Sequence, residues 1–174
     1  MKTQRLTRPA LLGLLTFLGG LIRLPLGPVP ITLQSLFVLL AGLTLAPREA
    51  LLAMSLNLAL SFLISGAALF LSPSLGFLLA FIPAAWLLAW LTQRGGESLK
   101  VQGLHTGIAS LLIYLLGLTY LVIHLGLITG QSLDPGAILV WGFLVFLPGD
   151  LVKAGLALVV AKKIRGRPLG DGPA

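Results

Sequence analysis

Apolar residues run through most of this chain without the polar interruption every third or fourth position that a water-facing helix requires, and short clusters of proline, glycine and charge break the runs. The runs fall at residues 9–26, 31–46, 50–68, 75–92, 103–128 and 148–164. Each comes close to the ~20 apolar residues that carry an α-helix across a bilayer, so the pattern predicts six transmembrane helices. The breakers are PLGPVP at 25–30, APRE at 46–49, SGAALFLSPS at 65–74, TQRGGESLK at 92–100 and a longer stretch from 129 to 149. Proline fixes its backbone angle and lacks a donor, whereas glycine tolerates angles other residues avoid, and together they punctuate the spans. Within the last breaker, AILVWGFLVF at 137–146 is apolar but too short to cross. It is expected as a short extra helix before the last span, the alternative being one long, kinked last helix.

Composition narrows the class. The 174 residues are 57% hydrophobic and 10% charged, with a mean hydropathy of +1.03, against about a quarter charged in a soluble domain. The fold class expected is therefore an all-α integral membrane protein, one six-helix transmembrane domain over residues 1–165. Residues 166–174, rich in glycine and proline, are expected as a flexible cytoplasmic tail. The first apolar run has no small-residue cleavage site after it and is read as a retained helix. Absence of cysteine excludes disulfides and thiolate metal sites.

The net charge of +7 describes topology and gives no reason to expect a nucleic-acid partner. Lys2, Arg5, Arg8, Arg48, Arg94, Lys100, Lys162, Lys163, Arg165 and Arg167 all fall on one side of the six spans, leaving Arg23 and Lys153. That excess predicts cytoplasmic N- and C-termini in a multi-pass protein of a prokaryotic cell membrane.

Three charges sit where apolar residues belong: Arg23, Asp150 and Lys153. A charge near the bilayer core costs about 2.5–3.5 kcal/mol on insertion scales and calls for a partner, water or a task. All three lie toward the outer half beside the breaks PLGPVP and FLPGD. Broken backbone at membrane depth survives where protein buries it or a wet cavity receives it, which predicts a pocket opening outward. Pro148, Gly149 and Asp150 begin the last helix, with Asp150 suited to the N-cap and Lys153 placed against the helix dipole. A ligand carboxylate seated there is one reading, and an internal Asp150–Lys153 pair at i, i+3 is the other. Thr32 and Gln34 behind the proline break, Asn57 in the third span and Tyr120 in the fifth are further candidate contacts, each equally accounted for by bonds between helices. Tyr114 and His124 share the fifth span, His124 being read as an interfacial or satisfied residue. Trp86, Trp90 and Trp141 fit interfacial belts or packing.

No phosphate-binding P-loop, nucleophile elbow, zinc-binding HExxH or pair of intramembrane carboxylates is present, and His105 and His124 are too far apart for one metal. Neither a catalytic site, a metal nor a cofactor is expected. A small outward-facing binding protein survives, with an embedded enzyme or a structural partner as readings from other classes. In the first helix Gly13, Thr16 and Gly20 form a small-residue stripe that suits close approach of another helix, either from a partner chain or from within the molecule.

The segment IRLPLGPVPITLQSLFVLLAGLTLAPREA at 22–50 closely resembles the BioY family of biotin-specific substrate-binding subunits in energy-coupling factor transporters, as does FLPGDLVKAGLALVVAKKIR at 146–165. SPSLGFLLAFIPAAWLLAWL at 72–91 and LLIYLLGLTYLVIHLGL at 111–127 are similar to the family's fourth and fifth helices. The resemblance implies a six-helix subunit that captures biotin from outside and works with a transmembrane coupling subunit and a cytoplasmic ATPase pair. It implies that Asp150 and Lys153 line the ligand site, and that small residues of the first helix, here Gly13, Thr16 and Gly20, meet the coupling subunit. Family members carry a glycine-rich loop between the third and fourth helices. This chain has the shorter SFLISGAALFLSPSLGF instead, which opens the alternative of another small carboxylate or vitamin as ligand.

Overall fold

The computed structural model describes residues 2–25, 29–96, 98–127, 136 and 140–165. Among the described residues six α-helices follow one another: α1 (Lys2–Leu21), α2 (Gln34–Thr44), α3 (Pro47–Ser65), α4 (Leu75–Arg94), α5 (Leu99–Leu127) and α6 (Leu147–Arg165). Among the described residues, four helical stretches are long and apolar enough to cross a membrane, namely Pro47–Leu71, Leu75–Arg94, Leu99–Gly126 and Gly142–Arg165. Shorter apolar helical stretches are Leu6–Leu21, within α1, and Gln34–Thr44.

The proline-rich break explains why α1 ends at Leu21 and why α2 starts only at Gln34. Pro25 and Pro30 cannot donate to a helix. The chain instead leaves α1 into strand β1 (Arg23–Leu24) and returns through β2 (Ile31–Thr32), antiparallel with Arg23 opposite Thr32. Strand pairing satisfies backbone groups that a bare loop would leave open, and Leu33 N–H donates to Gly19 O at 3.1 Å. The 11 residues of α2 rise only about 16 Å, roughly half the hydrocarbon thickness.

Each remaining boundary has a local cause. At the start of α3, Pro47 occupies the first turn and Glu49 Oε2 accepts the Ala46 N–H at 3.1 Å. Gly66 ends α3 at φ +57°, a backbone angle that favours glycine. A 3₁₀ segment, Gly66–Leu71, then leads to α4. Before α6 the expected short helix is a π-helical turn, Val140–Leu144. Residues 26–28, 128–135, 137–139 and the tail at 166–174 lie outside the described residues.

Side-chain size is sorted in the sense a bilayer demands. Ala41, Ala50, Ala53, Ala84, Ala85, Ala157 and Ala161 are wholly buried, whereas Leu11, Leu14, Leu63, Leu111, Leu115 and Leu151 point outward. In lipid there is no hydrophobic gain from hiding leucine, so small residues take the interfaces where backbones approach. α2 lies at the centre, its Val38, Ala41 and Leu43 fully enclosed.

Candidate functional site

Asp150 and Lys153 meet as the pair their spacing allows, with Lys153 Nζ 2.7 Å from Asp150 Oδ1. Asp150 is not the N-cap. α6 begins at Leu147, and the Asp150 N–H already donates to Phe146 O at 2.9 Å. Its carboxylate therefore turns away from the helix start and accepts from side chains of two other helices. Ser35 Oγ of α2 donates to Oδ1 at 3.0 Å, and the Tyr114 hydroxyl of α5 donates to Oδ2. Lys153 Nζ also donates to Ser35 Oγ at 3.2 Å, so Ser35, Asp150 and Lys153 close a three-membered ring of hydrogen bonds. Partnering of this kind is what makes burying two charges tolerable, since each must recover the hydrogen bonds it gave up in water.

This cluster lies in the wall of a cavity of about 290 Å³, close to the lower end of the ~300–1,000 Å³ usual for small-molecule sites. Phe17, Phe77, Phe81, Ile113 and Phe146 supply apolar and aromatic walls. Ser61, Ser65, Ser72 and Ser74, from the end of α3 and the connection to α4, add hydroxyl-bearing residues. Among the expected residues, Arg23, Thr32, Gln34, Asp150 and Lys153 border the cavity, and so does Gly20. Arg23 is exposed, and its Nε donates to Gly20 O at 2.7 Å, leaving both terminal nitrogens of the guanidinium clear of that bond.

Asn57, Gly149 and Tyr120 do not border it. Asn57 is fully buried behind Gln34, whose Nε2 donates to Asn57 Oδ1 at 3.4 Å. Thr32 Oγ1 donates to Gln34 Oε1 at 3.3 Å, so the three form a polar chain leading inward. Asn57 Nδ2 has no hydrogen-bond partner among the described residues. Tyr120 packs its Cβ against Gly76 and donates its hydroxyl to Phe70 O at 3.4 Å, which joins α5 to the 3₁₀ segment. Buried His124 lies 5.8 Å from the Tyr120 ring and is enclosed rather than interfacial. Trp90 carries Arg94 over its face at 4.3 Å, a cation–π contact at the end of α4, whereas Trp86 is exposed.

The stripe on α1 turns inward. A Cβ on Gly13 would meet Ala53 O at 2.6 Å, one on Gly20 would meet Gln34 Nε2 at 2.7 Å, and Thr16 is fully buried with its hydroxyl donating to Leu12 O. Gly13, Thr16 and Gly20 thus serve packing against α2 and α3, and a second chain would have to displace one of those helices to reach them.

Ser35 and the Tyr114 hydroxyl were not singled out by the sequence. Ser35 follows Gln34 directly in PITLQS and could have been found there, but nothing in the spacing pairs Tyr114 with an aspartate 36 residues on. Tyr114 and Asp150 also border a second, mainly apolar cavity of about 250 Å³ between α5 and α6, beside Gly103, Gly107, Leu151 and Ala154.

A bundle of apolar helices around a cavity with an ion pair in its wall defines a multi-pass membrane protein built to hold a small polar solute. The BioY family model matches residues 1–168, and the chain belongs to that family. It is 34% identical to the probable biotin transporter BioY of Pyrococcus horikoshii, over 95% of this chain and 99% of that one. Against the biotin transporter BioY of Rhizobium etli it is 32% identical, over 97% of each chain. The crystal structure of the S-component for biotin from an ECF-type ABC transporter superposes with a TM-score of 0.82 at 26% identity, covering 96% of this chain and 93% of that one.

Proposed function

We propose that this protein is the biotin-binding subunit of an energy-coupling factor uptake transporter. It captures the vitamin from outside without covalent chemistry and relies on a transmembrane coupling subunit and a cytoplasmic ATPase pair to release it inside. The observation that carries this reading is the Ser35–Asp150–Lys153 cluster in the wall of a cavity that is otherwise largely apolar. Biotin is an apolar bicycle and chain with a ureido group at one end and a carboxylate at the other, and the cavity offers a matching distribution of chemistry.

Unused hydrogen-bonding capacity sets the orientation. Two Lys153 N–H groups are taken by Asp150 and Ser35, and an ammonium has three. Asp150 Oδ2 accepts from Tyr114 and keeps a second lone pair. One donor and one acceptor side by side match a ureido carbonyl and its neighbouring N–H. Asp150 already neutralises Lys153, which makes exposed Arg23 the better partner for the carboxylate. Biotin thus lies with its ring system toward α6 and its carboxylate toward the β1–β2 ribbon.

The test compares biotin with biotin methyl ester on the purified chain and its Arg23→Gln variant. Preference for the free acid in the parent and loss of that preference in the variant support this orientation. An Arg23→Gln variant that still prefers the free acid contradicts it, and a parent that binds neither compound contradicts the assignment of biotin itself.

A further inference from the structure

Asp150 can receive a ligand N–H only if its carboxylate stays in the plane and at the height that the cavity presents. Lys153 alone does not fix this, because the ammonium sits on a flexible four-carbon stem three residues away on the same helix. The second oxygen is fixed from elsewhere. Tyr114 belongs to α5, is 6% exposed, and donates its hydroxyl to Oδ2. Its ring is in turn held edge-on against Phe143 of the π-helical turn, with centroids 4.8 Å apart and planes at 80°. Two rigid aromatic torsions, locked by a neighbouring ring, thus set where the hydroxyl stands.

The same side chain occupies a boundary. Tyr114 and Asp150 contribute both to the 290 Å³ cavity and to the apolar 250 Å³ cavity between α5 and α6. That second cavity is lined by Gly103, Gly107 and Ala154 beside Thr106, Ser110 and larger leucines, and no Cβ added at Gly103 or Gly107 would touch anything within 4 Å. Without the bond to Tyr114, Ser35 and Lys153 would still hold Oδ1, but Oδ2 would lose its donor and could rotate toward the α5–α6 space.

We propose that Tyr114 is a positioning residue for ligand capture: through its hydrogen bond to Asp150 it holds the carboxylate toward the ligand cavity and partitions that cavity from the α5–α6 space. This inference rests on the assignment of the cavity to biotin. Tyr114 itself need not touch the ligand, because its effect passes through Asp150.

A double-mutant cycle separates this role from simple packing. Tyr114→Phe keeps the ring against Phe143 and removes only the donor. Affinity for biotin, measured on the full detergent-solubilised chain by displacement of radiolabelled biotin, is expected to fall about tenfold, the size of one charge-assisted hydrogen bond, while the unliganded unfolding midpoint stays within about 3 °C. In an Asp150→Asn background the same change is expected to cost less than twofold. Where that background binds too weakly to measure, a thiolane-valeric acid lacking the ureido group replaces it, and Tyr114→Phe leaves its affinity unchanged. An equal loss in both backgrounds or for both ligands, or no loss for biotin in the parent background, overturns the proposal. A parent chain that does not bind biotin overturns the assignment on which it rests, an outcome told apart from the others by the parent alone.

Discussion

At the residue scale, the site depends on two charges that share their partners, Lys153 buried and Asp150 partly so. Asp150 accepts from Tyr114, Ser35 and Lys153, so removing the ammonium strips one of its three donors, and the only cation it contacts, among the described residues. A hydrogen bond from a charged group contributes about 1.5–3 kcal/mol. Lys153→Ala is accordingly expected to weaken biotin by about ten- to a hundredfold, with the variant still eluting as a folded species in gel filtration. Affinity within threefold of the parent would show that the ammonium makes no contact with the ligand. That Asp150 and Lys153 need partners was legible in the sequence, because charges in an apolar span demand compensation. Their compensation was not legible. It comes from Ser35 and Tyr114, brought in from α2 and α5 by tertiary packing that no local spacing records.

At the scale of elements, close helix contacts are made by glycine, and they differ sharply in how much room they leave. A Cβ on Gly76 would lie 2.2 Å from Tyr120 Cβ, whereas one on Gly107 would meet nothing within 4 Å. Gly76→Ala must push α4 from α5 and is expected to destabilise the fold by about 1–3 kcal/mol. Gly107→Ala should leave thermal stability unchanged or raise it by the helix-propensity gain of up to about 1 kcal/mol. Differential scanning fluorimetry of the two variants checks the contrast, and a Gly76→Ala midpoint equal to the parent's would mean that the α4–α5 seam is looser than described. Hydropathy gave the order and number of helices. It overran α1 and α2 because the residues of the proline-rich break are themselves apolar, so composition extended the spans while missing donors ended them. Likewise, the apolar residues before Leu147 carry no signal that separates a π-helical turn from an ordinary one.

For the whole molecule, capture from outside requires a defined orientation and a route for release. Lys162, Lys163 and Arg165 end α6, and Arg94 and Lys100 flank the α4–α5 connection, all on the side predicted to be cytoplasmic. The absence of cysteine makes this testable with single substitutions. Lys163→Cys should react with a membrane-impermeant maleimide only after cells are opened, and Arg23→Cys should react in intact cells. The reverse pattern would place the cavity mouth inside and contradict capture from the exterior. Under the proposed function, release depends on the partner subunits. Labelled biotin should accumulate in uptake-deficient cells to a much higher level when this chain is expressed with a coupling subunit and ATPase pair than alone, and equal accumulation would argue against dependence on those partners. The stripe of Gly13, Thr16 and Gly20 is occupied within the fold, which leaves the outward α1 residues Leu11, Leu14 and Leu18 as the surface of that helix open to a neighbour.

Isothermal titration of the purified, detergent-solubilised chain with biotin is the most direct measurement of whether this cavity is a biotin site. Saturable heat with one equivalent bound per chain is expected, reduced in the Lys153→Ala variant. Absence of saturable heat up to millimolar biotin in the parent chain would overturn the assignment of this cavity to biotin.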